Sequence, residues 1–167
     1  MQITPEGFDI RFSEPEDLAF LQQWLSEPGA CRDFPFEETE KDEALKNWIG
    51  FAKYKASLTG VLKEEPVAIG TLFLMPYRKV AHHCSFQLIV DARHRRQGIG
   101  TSMVRNLLHL AKTRFRLESV HVELYLPSPL LGIAQRLRFE EFARQDDYVR
   151  LNGRSHPRLL MEHFFHG

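Results

Sequence analysis

The segment Val90-Asp91-Ala92-Arg93-His94-Arg95-Arg96-Gln97-Gly98-Ile99-Gly100 constrains this chain more than any other. An apolar run precedes it and a helical apolar period follows it, so it reads as a strand-to-helix junction. Backbone amides at such a junction point out of the helix N-terminus, where they attract anions. Gly98 and Gly100 lack a Cβ and let a ligand approach the main chain. Arg95 and Arg96 add positive charge. The same residues also make sense as a tight turn with basic side chains in water, which needs no ligand.

Elsewhere the chain supplies a conventional core. Its 167 residues suit one domain spanning 1–167. Lys plus Arg and Asp plus Glu each number 22, a balance that argues against nucleic-acid binding driven by bulk charge. Cys31 and Cys84 fit no metal spacing and read as reduced thiols of a cytoplasmic protein. The eight histidines are too scattered for a metal site. The first ten residues lack the pattern of a secretory signal, and no apolar run approaches the ~20 residues that span a bilayer.

Phe8 to Phe12 reads as a first strand. Ser13 is expected to cap a helix that has Pro15 in its first turn and Glu16 at the reciprocal position, and that ends at Pro28-Gly29. Thr39 is expected to cap a second helix running from Glu40 to about Lys53. Ser57–Leu62 and Val67–Leu74 form a hairpin around Lys63-Glu64-Glu65-Pro66. His82–Val90 is a long strand, Gly98 to about Arg114 a helix, and Ser119–Leu126 a further strand. Pro127–Leu137 holds a short helix capped by Ser128. Phe139–Ala143, Tyr148–Leu151 and Leu159–Phe165 read as short strands, with an Asn152-Gly153 turn between the last two. The order predicts an α/β (α+β) mixed sheet flanked by helices.

This layout, together with Arg95, Gly98 and Gly100 after Val90-Asp91, resembles the GCN5-related N-acetyltransferase (GNAT) superfamily. The resemblance implies the acyl-CoA N-acyltransferase fold, with acetyl-CoA as donor and no metal. The stretch Tyr148–Gly153, with Leu160-Met161-Glu162 and Phe165, looks like the ribosomal-protein N-terminal acetyltransferase branch. The resemblance also implies the cofactor residues. Arg95, Arg96, Gln97, Gly98, Ile99, Gly100 and Thr101 would wrap the pyrophosphate, with Arg93 adding charge. Leu88, Ile89 and Val90 would pair with the pantetheine arm; Ser128 is a separate candidate, outside the family pattern, to hydrogen-bond the thiol.

Amide formation from a thioester needs a neutral amine, a stabilised oxyanion and a protected leaving thiolate. The resemblance implies the Val90 amide as oxyanion donor. In the long strand, His83, Ser85, Gln87 and Ile89 share one face. His82, Cys84, Phe86, Leu88 and Val90 share the other, which is apolar. His83 is therefore the more wettable histidine and a candidate base. Gln87 lies nearer the acetyl group but only orients or stabilises. A water chain to Glu123, or to an acid near Asp33 or Glu37, is the alternative. Relatives carry an Asn and a Tyr on the leaving-group side, but here those positions hold Pro127 and Ala134. Ser128, Tyr125 and Tyr148 are the candidate substitutes, and each also reads as a packing residue. Cys84 reads as core.

Trp24 and Trp48 fall on inward helical faces, while Phe34 and Phe36 are candidates for a pocket. Asp33, Glu37, Glu38, Glu40, Asp42 and Glu43 make one rim acidic. That rim suits a cationic primary amine, such as a polyamine, an aminoglycoside or a peptide N-terminus, or simply the helix dipole. The chain thus reads as an N-acetyltransferase. The alternatives are a CoA-binding module without catalysis and a module that uses the loop only as a turn. The apolar tail at Leu159, Leu160, Phe164 and Phe165 serves either a homodimer or the core.

Overall fold

The computed structural model describes residues 3–166. The alternating Phe8, Ile10 and Phe12 form strand β1 (Phe8–Phe12). Helix α1 (Leu18–Trp24) follows a 3-10 turn over Pro15–Asp17. Its cap corrects the sequence expectation. Glu14 has the extended cap backbone and exchanges hydrogen bonds with Asp17, so neither Ser13 nor Glu16 takes part. Ser13 is instead drawn inside, where its hydroxyl meets Thr59 at 2.8 Å and accepts from Ser57 at 2.9 Å.

Helix α2 (Lys41–Gly50) is entered the same way. Glu37 and Glu40 form the capping pair across a 3-10 turn, and Thr39 lies within that turn. The helix stops at Gly50, and a separate 3-10 turn carries Phe51–Tyr54, short of the single helix expected to Lys53.

Strands β2 (Ser57–Leu62) and β3 (Glu65–Leu74) pair antiparallel. Lys63 and Glu64 both have positive φ, 51° and 72°, as a two-residue hairpin turn requires. The turn is thus shorter than expected. Pro66 enters the strand beside a register shift at Gly60/Val61, where its missing N–H is tolerated.

Strand β4 (His83–Val90), helix α3 (Ile99–Thr113), strand β5 (Ser119–Tyr125) and helix α4 (Leu130–Arg136) follow the expected order. The C-terminal expectation was too short. Two predicted strands merge into β6 (Glu140–Leu151), and β7 begins at Arg154 and ends at Phe164. Their Asn152-Gly153 turn has φ of 52° and 75°. Pairing on both sides of a bulge between Gln145 and Val149 carries the strand through the polar run Arg144–Asp147, which breaks the local alternation.

The described strands form one sheet in the order β1-β2-β3-β4-β5-β7-β6. Helix α3 packs Ile99, Met103, Leu107, Leu108 and Ala111 onto one face, in a core with Phe86, Val122 and Leu124. Helices α1 and α2 pack Leu21, Trp24, Leu45 and Trp48 against Ile69 and Ile89 on the other. Each strand face is therefore claimed by a different helical layer, as strand alternation demands. In the tail, Leu159 is buried in the core and Phe165 packs against it, while Phe164 is exposed.

Candidate functional site

The site begins where two parallel strands part. β4 pairs with β5 only from His83–Ser85 to Ser119–His121, although both strands continue beyond. On its other side β4 stays paired with β3 as far as Val90. The Asp91 N–H donates to the Val67 carbonyl at 2.8 Å. Antiparallel pairs alternate between bonded and non-bonded, so the Val90–Ala68 and Leu88–Gly70 pairs are of the non-bonded kind. The N–H and C=O of Leu88 and Val90 therefore face the gap beside β5, where the ladder has ended.

That gap is a cleft of about 320 Å3. Gln87 to Val90 form one wall, and Glu123 and Leu124 form the other. His94, Arg95, Arg96, Gly98, Gly100 and Thr101 close one end, with Ser128, Pro129, Leu130, Ile133 and Arg136 from the α4 side. Asp33 and Phe34 reach in from the opposite helical layer.

The strand-to-helix loop is shaped for this position. Arg96 and Gly98 have positive φ, 63° and 80°, and Gly98 caps α3. The Ile99 and Gly100 amides open a 15-residue helix, and such amides have no acceptor inside the helix. They point outward with the positive end of the helix dipole. Arg95 and Arg96 stand beside them, and the Arg95 Nε reaches the Val90 carbonyl at 3.5 Å. Gly100 also lets α4 come close, because a Cβ there would stand 2.8 Å from the Ile133 Cδ1.

The sequence-predicted residues separate cleanly. Leu88, Ile89, Val90, Arg95, Arg96, Gly98, Gly100, Thr101 and Ser128 all border the cleft, as does Gln87. Gln97 points to solvent and Ile99 into the core. Arg93 is turned away and is ion-paired with buried Asp91 at 2.8 Å. Burial alone would raise the Asp91 carboxyl, but the Arg93 side chain and amide outweigh it and hold the group low.

His83 does not reach the cleft. It lines a second cavity of about 650 Å3 with His82, His121, Glu118 and Glu162. His82, not His83, is the exposed histidine of the pair, because β4 starts only at His83. The His83 Nδ1 is buried without a hydrogen-bond partner. His121 is held below the usual histidine range by burial and by neighbouring His83.

Tyr148 also lies outside the cleft. Its ring stacks on Tyr125 at 5.8 Å and carries the Arg158 guanidinium 3.9 Å from its centre. Tyr125 is buried, and burial followed by the charge of Glu123 pushes its hydroxyl above the usual tyrosine range. Ser128 accepts the Leu130 N–H at 3.2 Å, which leaves its own proton available. Ala134 is fully buried in α4, so a tyrosine has no room there.

Acidic groups are fewer at the cleft than the sequence suggests. Glu37 and Glu40 are consumed in a cap, and Glu38 faces Lys41 at 3.7 Å. Asp33 remains, raised by burial against the opposing pull of Arg95 and Arg32. Phe34 borders the cleft and stacks on Phe36, with ring centres 5.4 Å apart. Glu123 is the other cleft carboxylate, and it accepts from Arg158 at 2.5 Å.

Arg136 and Arg158 carry no signal in sequence. Arg136 is an ordinary last-turn helix cation until α4 docks on α3 and brings it within 3.4 Å of the Thr101 hydroxyl. Among the described residues, no group of three or more His, Cys, Asp or Glu is placed to hold a metal ion. No described helix is long and apolar enough to cross a membrane.

Comparison with known proteins places this architecture. The acetyltransferase (GNAT) family model matches residues 18–128. No curated protein matches significantly by sequence. Among solved structures, yncA from Salmonella typhimurium, solved with acetyl-CoA, superposes with a TM-score of 0.80 at 13% identity, covering 95% of this chain and 94% of that one. A GNAT-family acetyltransferase from Streptococcus pneumoniae gives 0.80 at 14% identity, with 95% and 99% covered. The ribosomal-protein-alanine N-acetyltransferase from Brucella melitensis gives 0.75 at 16% identity, with 94% and 99% covered. These structures share the fold across nearly their whole length, and no single branch stands out among them. The matched segment carries both diverging strands and the glycine loop between them, and the chain belongs to the acetyltransferase (GNAT) family.

Proposed function

We propose that this protein moves the acetyl group of acetyl-CoA directly to a primary amine. The observation that carries the reading is the cleft between β4 and β5, which aims the Leu88 and Val90 backbone at the same space as the α3 N-terminus. The Ile99 and Gly100 amides, with Arg95, Arg96 and Arg136, suit a pyrophosphate. The edge groups of Leu88 and Val90 suit the amides of a pantetheine arm, which lies there as an added strand.

The Val90 N–H is the oxyanion donor, and such donors act best when fixed and shielded from water. Glu123 takes the amine proton, directly or through a water, and Gln87 orients the nucleophile. Ser128 donates to the leaving thiolate. A thiol leaves tolerably well without a dedicated acid, since its pKa is only about 8.5. Direct transfer needs no nucleophilic cysteine, and Cys84 is sealed in the core.

Asp33 and Glu123 favour a cationic acceptor: a polyamine, an aminoglycoside or a basic peptide N-terminus, the last in keeping with the ribosomal-protein branch. The two free cysteines fit a cytoplasmic setting. Exposed Phe164 offers a contact for a homodimer, which sedimentation velocity tests directly.

The test is a thiol-release assay with acetyl-CoA and spermidine, kanamycin, free amino acids or basic peptides, paired with calorimetric titration of CoA. Tight CoA binding with amine-dependent thiol release is expected. CoA binding with background release for every amine would favour a module without catalysis. No CoA binding would refute the cleft assignment.

A further inference from the structure

We propose that Arg158 is a positioning residue for acetyl transfer, fixing the Glu123 carboxylate against the cleft wall. The inference rests on the reading of Glu123 as proton acceptor. Its geometry comes from strand pairing. Glu123 lies opposite Leu160 and Tyr125 lies opposite Arg158, so Arg158 and Glu123 are diagonal neighbours on one sheet face. The Arg158 Nη1 donates to the Glu123 Oε1 at 2.5 Å. Its Nη2 donates to the Gln145 Oε1, and the guanidinium lies on the Tyr148 ring.

The partners from β6 are brought there by a built irregularity. Between the Gln145–Arg158 and Val149–His156 pairs, three residues of β6 stand against one of β7. Such a bulge bends the strand and re-aims a side chain. Here it is tied down on both sides. Arg144 holds Asp146 at 2.8 Å, while Arg150 and Ser155 hold Asp147 at 2.9 and 2.6 Å. The next residue is Tyr148, whose ring covers Arg158.

One planar cation is thus held by an amide oxygen, an aromatic face and a carboxylate at once. Only arginine has the shape for all three, since lysine offers a point charge without a stacking plane. The two terminal nitrogens of Arg158 are hydrogen-bonded, to Glu123 and Gln145, while its buried Nε has no partner. Of these two partners, Glu123 is the one that borders the cleft. A carboxylate on a half-open strand face otherwise samples several rotamers, and a charge-assisted bond to a held guanidinium selects one.

The experiment combines crystallography with kinetics on Arg158→Gln, Arg158→Lys, Glu123→Gln and the double variant Arg158→Gln/Glu123→Gln. Acetyl-CoA is the donor, and spermidine and a basic peptide are the acceptors. In Arg158→Gln the Glu123 carboxylate is expected to leave its position or split between conformers. Its kcat falls at least tenfold while KM for acetyl-CoA stays within twofold, and Arg158→Lys recovers part of the loss. Adding Arg158→Gln to Glu123→Gln costs less than a further twofold.

Two results would overturn the proposal. One is a Glu123 carboxylate that stays in place in Arg158→Gln. The other is a loss that persists undiminished in the Glu123→Gln background, which would put Arg158 in contact with the acceptor itself. If the wild type acetylates neither these acceptors nor any other amine of the panel, the functional reading fails on its own. The crystallographic arm then still decides whether Arg158 positions Glu123.

Discussion

Gly100 and Ile133 meet so closely that a Cβ on residue 100 would stand 2.8 Å from the Ile133 Cδ1. The same Cβ would lie 3.8 Å from Leu88 and from Val90, so it would project into the cleft between α3, α4 and β4. Ile133 can swing aside for a single methyl group, but not for a branched side chain. Gly100→Val is expected to raise KM for acetyl-CoA at least tenfold and to cost about 1–3 kcal/mol of stability through overpacking. The double variant Gly100→Val/Ile133→Ala should recover stability by removing the clash. Calorimetric CoA titration and thermal melts measure both effects. An unchanged CoA affinity in Gly100→Val would contradict the loop assignment.

Glu123 and His83 sit on the same sheet face but border different cavities. Glu123→Gln keeps the shape and removes proton acceptance. It should lower kcat by roughly 10²–10⁴, the usual contribution of a general base, with CoA affinity unchanged. His83→Gln should leave the pH profile of kcat/KM where it is. A profile that shifts in His83→Gln and not in Glu123→Gln would reverse these roles.

Asp17 anchors the start of α1 to the sheet. It accepts from both Arg11 terminal nitrogens at 2.8 and 3.0 Å, from the Glu14 amide at 2.9 Å and from the Thr59 hydroxyl at 2.9 Å. Burial alone would raise its carboxyl, but the Arg11, Glu14 and Thr59 hydrogen bonds outweigh it, and the group is held below the usual range. A carboxylate with a depressed folded pKa stabilises the fold above its unfolded value of about 3.9, and that contribution is lost as pH falls through the folded value. Asp17→Asn should therefore cost about 1–3 kcal/mol at pH 7, toward the lower end because Arg11 is partly exposed. Urea melts across pH 2 to 7 should show the gap between wild type and variant closing below about pH 4. A gap independent of pH would mean that the carboxylate charge contributes nothing.

Cys84 and Cys31 should differ sharply toward thiol reagents. Burial pushes the Cys84 thiol up to about 12, whereas Cys31 is only partly covered and is raised less by the same cause. One thiol should react with a disulfide reagent in the native state, and the second only on unfolding. Cys84→Ala should keep kcat while losing stability. Loss of turnover at normal stability would point instead to a chemical role for the thiol.

Much of the fold is legible in residue patterns. The apolar period of α3 and the alternation in β4 and β5 locate those elements within a residue or two. Helix starts are less legible. Ser13 and Thr39 have the chemistry of caps, yet Glu14 and Glu37 take the positions because their backbones hold the extended cap conformation. The β6–β7 hairpin is longer than its pattern suggests, because pairing with a neighbour strand stabilises residues whose own alternation is broken.

The site divides along the same line. Arg95, Gly98 and Gly100 announce the loop at the α3 N-terminus because its shape depends on local backbone, and contiguous residues encode it. The order of strands and helices likewise follows from periods of two and 3.6. Strand divergence past Ser85 and His121, the docking of Arg136 near Thr101 and the clasp of Arg158 on Glu123 are different in kind. Each joins residues tens of positions apart, and each depends on register and layer packing that no single segment contains. The chain's local chemistry specified the glycine loop at the start of α3, and three-dimensional packing selected which distant side chains line the cleft beside it.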